Sequence, residues 1–317
     1  MIVSASRRTD IPAFYVNWLI NRIHNREVMV RNPMNVHQVS RISLDPRIVD
    51  CFVFWTKNPK KLLPRLNELS DYNYYFQFTL TPYNRSLEPK LLEKRGILKT
   101  FQILSDTIGA GKVIWRYDPI IFTPEYDFRF HQKSFKAMAS ALHGYTKRCV
   151  ISFVDMYKKT QRNLFGIPLV TVSNREMKDI ARVFADTGNK YSIEVVSCAE
   201  EIDLSKSGVK HGKCIDDKLI AELSGKELYI GKDKTQRGEC GCTASIDIGA
   251  YNTCSHGCLY CYANFNFERV NRNWITHNPK SPLICGALMP DDKVHDRKIV
   301  SCFLLQQKLL HLESDLS

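Results

Sequence analysis

The residues whose types and spacing could do chemistry lie in Tyr251-Asn-Thr-Cys254-Ser-His-Gly-Cys258-Leu-Tyr-Cys261-Tyr-Ala-Asn264. Three cysteines stand at C-x3-C-x2-C spacing on one short stretch. Three thiolates on one tight loop can hold three irons of a four-iron, four-sulfur cluster. The fourth iron is then left without a protein ligand and can bind and reduce a small molecule. Gly257 provides the backbone freedom such a loop needs, and Tyr260 puts an aromatic ring directly before the third cysteine. Two other chemistries use the same residues. A zinc knuckle needs a fourth ligand, which Cys240, Cys242 or His256 could supply. A thiol redox pair needs only Cys258 and Cys261. Ligand softness and spacing favour the cluster. His256 is expected to face solvent within the loop and not to be a ligand.

A second group of cysteines flanks the first. Cys198 follows an apolar stretch at 193–196, Cys214 lies in His211-Gly-Lys-Cys-Ile-Asp216, and Cys240-Gly-Cys242 precedes the stretch Ser245–Gly249. Four thiols suffice for a fully ligated cluster or a structural zinc. The bland alternative is four unconnected buried cysteines, since free cysteine is among the most buried residue types. The Cys-Gly-Cys pair argues against it. Cys51 and Cys149 at apolar strand edges, and Cys285 and Cys302 near the C-terminus, read as structural.

Something must position these residues. Short β-rich runs recur at Ile2–Ser6, Cys51–Trp55, Tyr75–Thr79, Val113–Arg116, Val150–Val154, Ile193–Val196 and Ser245–Gly249. Apolar residues at helical spacing lie between several of them, over about 12–24, 88–108 and 174–186, the last with Asn174 as candidate cap. Strands alternating with helices predict a parallel sheet, and seven such units predict an α/β fold of partial or closed (β/α) TIM-like barrel type. Function in such folds gathers at the C-terminal ends of the strands. The residues there are Ser6-Arg-Arg-Thr-Asp10, Trp55-Thr-Lys-Asn-Pro59, Thr79-Leu-Thr-Pro82, Arg116-Tyr-Asp-Pro119, Asp155 and Ser197-Cys-Ala-Glu-Glu201. The expected organisation is a barrel over 1–265, with its cysteine-rich part at 198–261, and a C-terminal extension over 266–317 packing on it. Ile299–Leu312 reads as a final helix.

The Cys254–Cys261 spacing resembles that of the radical S-adenosylmethionine (SAM) enzymes. Cys254-Ser-His-Gly-Cys258-Leu-Tyr-Cys261-Tyr-Ala resembles, more closely, the cysteine loop of spore photoproduct lyase-like proteins. Arg116-Tyr-Asp-Pro-Ile120 is similar to an Arg-x-Asp-Pro-Ile strand of that group, and Thr56-Lys57 to its Thr-Lys strand end. From Ser4 to Asn264 the chain resembles an uncharacterised bacterial family, a domain of unknown function with radical-SAM-like cysteines at its C-terminal end. The resemblance implies a 4Fe-4S cluster on Cys254, Cys258 and Cys261, with SAM on the open iron. It implies reductive cleavage of SAM to a 5′-deoxyadenosyl radical that abstracts hydrogen from a substrate. It also implies cofactor contacts from Tyr260, Thr56, Lys57, Thr79, Arg116 and Asp118, and an electron donor of flavodoxin or ferredoxin type. Arg116 would fork onto the SAM carboxylate. Asp118 would accept from the ribose or orient Arg116, with an ion pair in the barrel mouth as the alternative. Arg7, Arg8 and Asp10 would meet substrate or pair with one another. In radical SAM enzymes the cysteine loop follows the first strand, whereas here it follows the last. That order predicts a circular permutation with Ser245–Gly249 beside Ile2–Ser6. A clear Gly-Gly-Glu segment, used by many radical SAM enzymes for the methionine amino group, is absent.

Composition bounds the rest. With 317 residues, 44% hydrophobic and 25% charged, the chain has the make-up of a globular protein and can bury a sizeable core. No apolar run reaches the ~18 residues a membrane helix needs, and the first residues lack a secretory apolar segment. A cytoplasmic location without membrane association is the expectation, and there the eleven cysteines are thiols or metal ligands. The net charge of +12 suits an anionic partner, nucleic acid among them, or a solvated basic surface. The alternative to an enzyme is a non-catalytic nucleic-acid-binding protein stabilised by zinc or an iron–sulfur cluster. A plain electron carrier fits an open three-cysteine site poorly.

Overall fold

In a computed structural model, residues 1–156 and 158–303 are described. The chain opens with β1 (Ile2–Ala5), α1 (Ile11–Phe14) and α2 (Val16–His24), then β2 (Glu27–Arg31), β3 (Gln38–Ser43), β4 (Cys51–Thr56) and β5 (Tyr74–Thr79). It continues through α3 (Lys94–Ile108), β6 (Val113–Ile120), α4 (Phe128–Leu142), β7 (Arg148–Phe153), α5 (Lys158–Asn163) and α6 (Asn174–Lys190). The remainder is β8 (Glu194–Ser197), β9 (Lys210–His211), α7 (Asp217–Ser224), β10 (Ile246–Asp247), α8 (Phe267–Ile275) and β11 (Lys293–Asp296).

Eight strands form one sheet in the order β10-β1-β4-β5-β6-β7-β8-β9, with every neighbouring pair parallel. Its short strands are apolar on both faces because both are covered. One face carries Val3, Phe52, Phe54, Phe76, Phe78, Trp115 and Ile151 and packs under the helices, with Trp18, Phe101, Phe135 and Phe184 in the same core. Phe135 of α4 and Phe184 of α6 stack at 4.0 Å between centroids. The other face carries Ile2, Val53, Tyr75, Ile114, Val150 and Val196 in a separate core completed by Cys214, Ile215, Ile220, Cys240 and Cys242. The segment around 214–220 thus fills the concavity of the sheet.

The α/β class and parallel sheet match expectation. Barrel closure does not appear: among the described residues β9 and β10 are the sheet's two edges. The seam between them is bridged by irregular chain, where Thr243 N–H donates to Ile215 O at 3.1 Å. A second sheet, β11-β3-β2, had no counterpart in the expected strands. In it β2 and β3 form an antiparallel hairpin and β11 joins parallel to β3. The helix expected over 12–24 is broken at Tyr15, the one over 88–108 starts at Lys94, and α6 is capped by Ser173, one residue before Asn174. A capping box explains that start, since Ser173 and Glu176 satisfy each other's backbone N–H. Residues 264–303 pack on the sheet-helix body: Trp18 Nε1 donates to Ser281 O at 3.0 Å and Arg22 Nη2 to Lys280 O at 3.0 Å. Of the final helix expected at 299–312, residues 299–303 are not helical and the remainder lies outside the described residues. No helix among the described residues is long and apolar enough to cross a membrane.

Candidate functional site

Period-two alternation decides which strand-end residues meet. Side chains two apart share a face of a strand, so Trp55 and Lys57 continue the inner face of Val53. Gln77 and Thr79 continue that of Tyr75, Arg116 and Asp118 that of Ile114, Ser152 that of Val150, and Cys198 that of Val196. Of these, Trp55, Lys57, Thr79, Arg116, Asp118, Ser152 and Cys198 open into a cavity of about 740 Å3 at the C-terminal ends of the strands. All seven motif cysteines line it, together with Tyr260, Thr56, Lys57, Thr79, Arg116, Asp118, Arg7, Arg8 and Asp10. The cavity has two poles, one at each set of cysteines.

At the first pole, Asp247 holds the cysteine loop to β1. Its carboxylate accepts from Ser4 Oγ at 2.9 Å, Ser6 Oγ at 2.6 Å and Arg7 N at 2.8 Å. Gly249 then passes so close to Ser6 that a Cβ would meet Ser6 Oγ at 2.2 Å. Gly257 sits at φ +71°, the left-handed turn expected of it. Asn163 and Asn264 side chains donate to the loop carbonyls of Cys261 and Cys254. Burial raises all three thiols above their ordinary range, and Cys258 is pushed up to about 12 against the pull of Lys57. Such thiols release protons only when a metal takes their place. Three thiols on one braced loop facing a cavity, Cys258 buried and Cys254 and Cys261 half-buried, fit the soft donor set of an iron–sulfur cluster.

His256 corrects the expectation of a solvent-facing side chain. It is 7% exposed, packs edge-on against Phe14 at 4.7 Å, and bonds through Nε2 to Asp10 Oδ2 at 2.7 Å. The apolar face of α1, which the loop sequence does not encode, accounts for this. Asp10 is similarly engaged: Oδ1 accepts from Ala13 N at 2.9 Å and Oδ2 also from Lys57 N at 2.7 Å. It therefore ties α1, the end of β4 and the cysteine loop together. Thr56 lies on the opposite parity from Trp55 and Lys57, and its hydroxyl accepts from Asn58 N at 3.0 Å.

Lys57 reaches towards Cys258 but pairs at 2.7 Å with Glu88, a residue with no motif to mark it. Glu88 is 1% exposed and also accepts from Thr81 Oγ1 at 2.7 Å, from Lys94 and from the Tyr260 hydroxyl. Burial alone would raise the Glu88 carboxyl; the two lysines outweigh it and lower it to about 2. Burial works against the Lys57 ammonium, and Glu88 more than restores it. Tyr260 is thereby fixed by its hydroxyl, with Lys57 Nζ over its ring at 5.4 Å. Thr79 stands beside Arg116 in register.

At the second pole, Cys198 Sγ lies 2.9 Å from Cys214 Sγ. Arg116 Nη1 donates to Cys214 Sγ at 2.6 Å, and Nη2 pairs with Asp118, which also accepts from Ser152 Oγ. Arg116 is thus turned towards the second cysteine set, with Asp118 as its ion-pair partner. Trp55 is flanked by two cations, Arg116 at 4.8 Å and Arg7 at 5.4 Å from its ring. Arg8 lies over Tyr251 at 5.2 Å with Asp247 at 4.0 Å. Buried Arg7 Nη2, Thr9 Oγ1 and Trp55 Nε1 have no hydrogen-bond partner among the described residues. Buried donors normally have partners, so these three mark the cavity wall as a surface built to face something polar.

A family described as a domain of unknown function (DUF1848) matches residues 2–263, which take in both cysteine sets and every site residue named above except Asn264. The chain belongs to the DUF1848 family. No curated protein matches the chain. In this DUF1848 protein the matched region ends just before α8, so the residues lining the cavity all lie within the family's domain. Glu88, Asp247 and the anchoring role of Asp10 were not visible in its sequence. Their signal is three-dimensional, being buried carboxylates satisfied by donors from distant segments.

Proposed function

We propose that the protein is an iron–sulfur enzyme of radical SAM type. The observation that carries this reading is the convergence of Cys254, Cys258 and Cys261 on one cavity with the polar ends of β1, β4, β5 and β6. Cys254, Cys258 and Cys261 would hold the cluster, which supplies, when bound, the electron for reductive cleavage of SAM. The chain's own residues position and protect. Lys57 keeps a positive charge beside Cys258, held there by Glu88. Tyr260, pinned through its hydroxyl, walls the cavity beside the loop. The Asp10–His256 bond fixes the loop against the end of β4. Arg7 Nη2, Thr9 Oγ1 and Trp55 Nε1 offer unmet hydrogen-bonding capacity to a polar, anionic substrate.

The strand order agrees with a circularly permuted radical SAM half-barrel. Val3 and Ser4 of β1 pair in parallel with Ile246 and Asp247 of β10, so the strand entering the cysteine loop sits at the sheet edge beside β1. A cytoplasmic setting, a flavodoxin- or ferredoxin-type reductant and a nucleic-acid substrate belong to the same reading, the last on the strength of the +12 charge.

The test is anaerobic. The full chain is reconstituted with iron and sulfide, reduced with dithionite and given SAM, and 5′-deoxyadenosine is measured by mass spectrometry. Cys258→Ala runs in parallel. Deoxyadenosine from the unsubstituted chain alone supports the enzyme. A chain that binds zinc at Cys254, Cys258 and Cys261 and leaves SAM intact returns the function to a metal-stabilised binding protein.

A further inference from the structure

We infer that Cys198, Cys214, Cys240 and Cys242 form a second metal centre, fully ligated by four thiolates, at the seam between β9 and β10. This inference is independent of the function proposed for the first cysteine set. The four residues come from three separate stretches of chain: after β8, after β9 and before β10. They nevertheless converge on one place. Cys214 Sγ lies 2.9 Å from Cys198 Sγ, Cys214, Cys240 and Cys242 share one buried core with Cys198 packed against it, and all four line the same cavity. Cysteines buried merely as small apolar groups have no reason to seek one another out.

What surrounds the sulfurs points the same way. Ile215 N–H donates to Cys242 Sγ at 3.4 Å and the Arg116 guanidinium to Cys214 Sγ at 2.6 Å. Donors aimed at sulfur are the outer-shell groups that orient and stabilise metal-bound thiolates. The charge is also arranged for an anionic centre. Asp118 offsets Arg116, but Arg7 has its nearest carboxylate in a salt bridge, that of Asp233, at 3.9 Å. A buried cation without a tight partner is costly. Four thiolates around one zinc ion, or around a four-iron cluster, carry a net charge of about −2 that both arginines would face. On binding, each thiol gives up its proton to solvent and forms one metal–sulfur bond, with no change in sulfur oxidation state. All four protein ligands are then used and no position is left open, so the centre clamps the seam and walls the cavity.

Zinc and a four-iron cluster share this donor chemistry, and metal content separates them. The full chain carrying Cys254→Ala, Cys258→Ala and Cys261→Ala is isolated without oxygen and offered zinc, or iron with sulfide. We expect either about one zinc per chain or about four irons with a sulfur-to-iron absorption band. X-ray absorption should show sulfur alone in the first shell, at about 2.3 Å for zinc. The reciprocal variant, Cys198→Ser with Cys240→Ser, should lose that increment and keep whatever metal Cys254, Cys258 and Cys261 hold. Cys51→Ala, outside both sets, should change neither. Less than about a tenth of a metal per chain in the first variant, with all four thiols alkylated, overturns the inference. So does a Cys198–Cys214 disulfide under the same conditions. Should the first variant fail to fold, the metal lost from the reciprocal variant relative to the unsubstituted chain decides the question.

Discussion

At the scale of single residues, Glu88 has the largest role that no motif announced. It is a buried carboxylate serving two lysines, a threonine and Tyr260, so removing its charge leaves the buried ammonium of Lys57 without a partner. Glu88→Gln should destabilise the chain by about 3–5 kcal/mol, read by chemical denaturation. The acid dependence follows with a definite sign. The folded carboxyl lies at about 2 against an ordinary 4.5, so its stabilisation is complete above 4.5 and is lost as pH falls through 2. His131 adds a limb at higher pH. Its Nε2 lies 2.9 Å from Ile121 O and its Nδ1 2.8 Å from the Tyr117 hydroxyl, so the neutral ring donates to the former and accepts from the latter. Burial lowers it from 6.5 to about 4; the unfolded chain takes up a proton that the folded one refuses, and stability falls between those values. Glu200, whose carboxyl burial raises from 4.5 to about 7, gains stability as pH falls over nearly the same range, so the His131 contribution of roughly 3 kcal/mol should be read as a difference: the unsubstituted chain should lose that much relative to His131→Gln between about pH 6.5 and 4. A difference in melting temperature between the two chains that stays level across that range would contradict the assignment.

At the scale of elements, the contact between β1 and β10 sets where the cysteine loop begins. Gly249 leaves β10 against Ser6, where a methyl group would overlap Ser6 Oγ and Cβ at 2.2 and 2.7 Å. Gly249→Ala should cost about 1–3 kcal/mol, and it should lower iron retention at Cys254, Cys258 and Cys261 more than at the second set. Equal loss at both sets would mean that the substitution acts through global unfolding. The sequence period exposed most of these elements: the runs at 2–6, 51–55, 75–79, 113–116, 150–154, 193–196 and 245–249 all contain strands. The hairpin of β2 and β3 escaped because Glu27–Arg31 and Gln38–Ser43 mix apolar with polar and charged residues and bury side chains on both faces, Val28 and Ile42 on one and Met29 and Val39 on the other, so neither shows a clean period of two. The two-residue β9 is too short to show a period.

At the scale of the whole molecule, the segment after the family's matched region is part of the fold. Val270 of α8, Leu283 and Ile284 are buried, and β11 completes the second sheet. A chain ending at Asn264 should be less stable by about 5 kcal/mol, taking ~1.5–3 kcal/mol for each large apolar side chain uncovered. It should expose Trp18, whose fluorescence would shift towards that of solvated indole. An unchanged melting temperature would show that residues 265–303 are an appendage. The same scale explains why seven cysteines share one cavity: parallel strands send all their C-terminal ends to one side, and the seam lets the second set close over the concave face.

The sequence by itself determined the α/β class, the parallel strands, the cysteine loop and the cavity residues at the ends of the strands it exposed. Those follow from local periodicity and spacing, which neighbouring residues carry. Only the tertiary structure decided that the sheet has two edges, that His256 turns inward to Asp10, that Arg116 addresses the second cysteine set, and that Glu88 governs Lys57 and Tyr260. Each of these depends on a partner far along the chain: 246 residues separate Asp10 from His256, 98 separate Arg116 from Cys214, and 172 separate Glu88 from Tyr260. Residues so distant meet only because burial satisfies their polar atoms against one another, and no local pattern records that requirement.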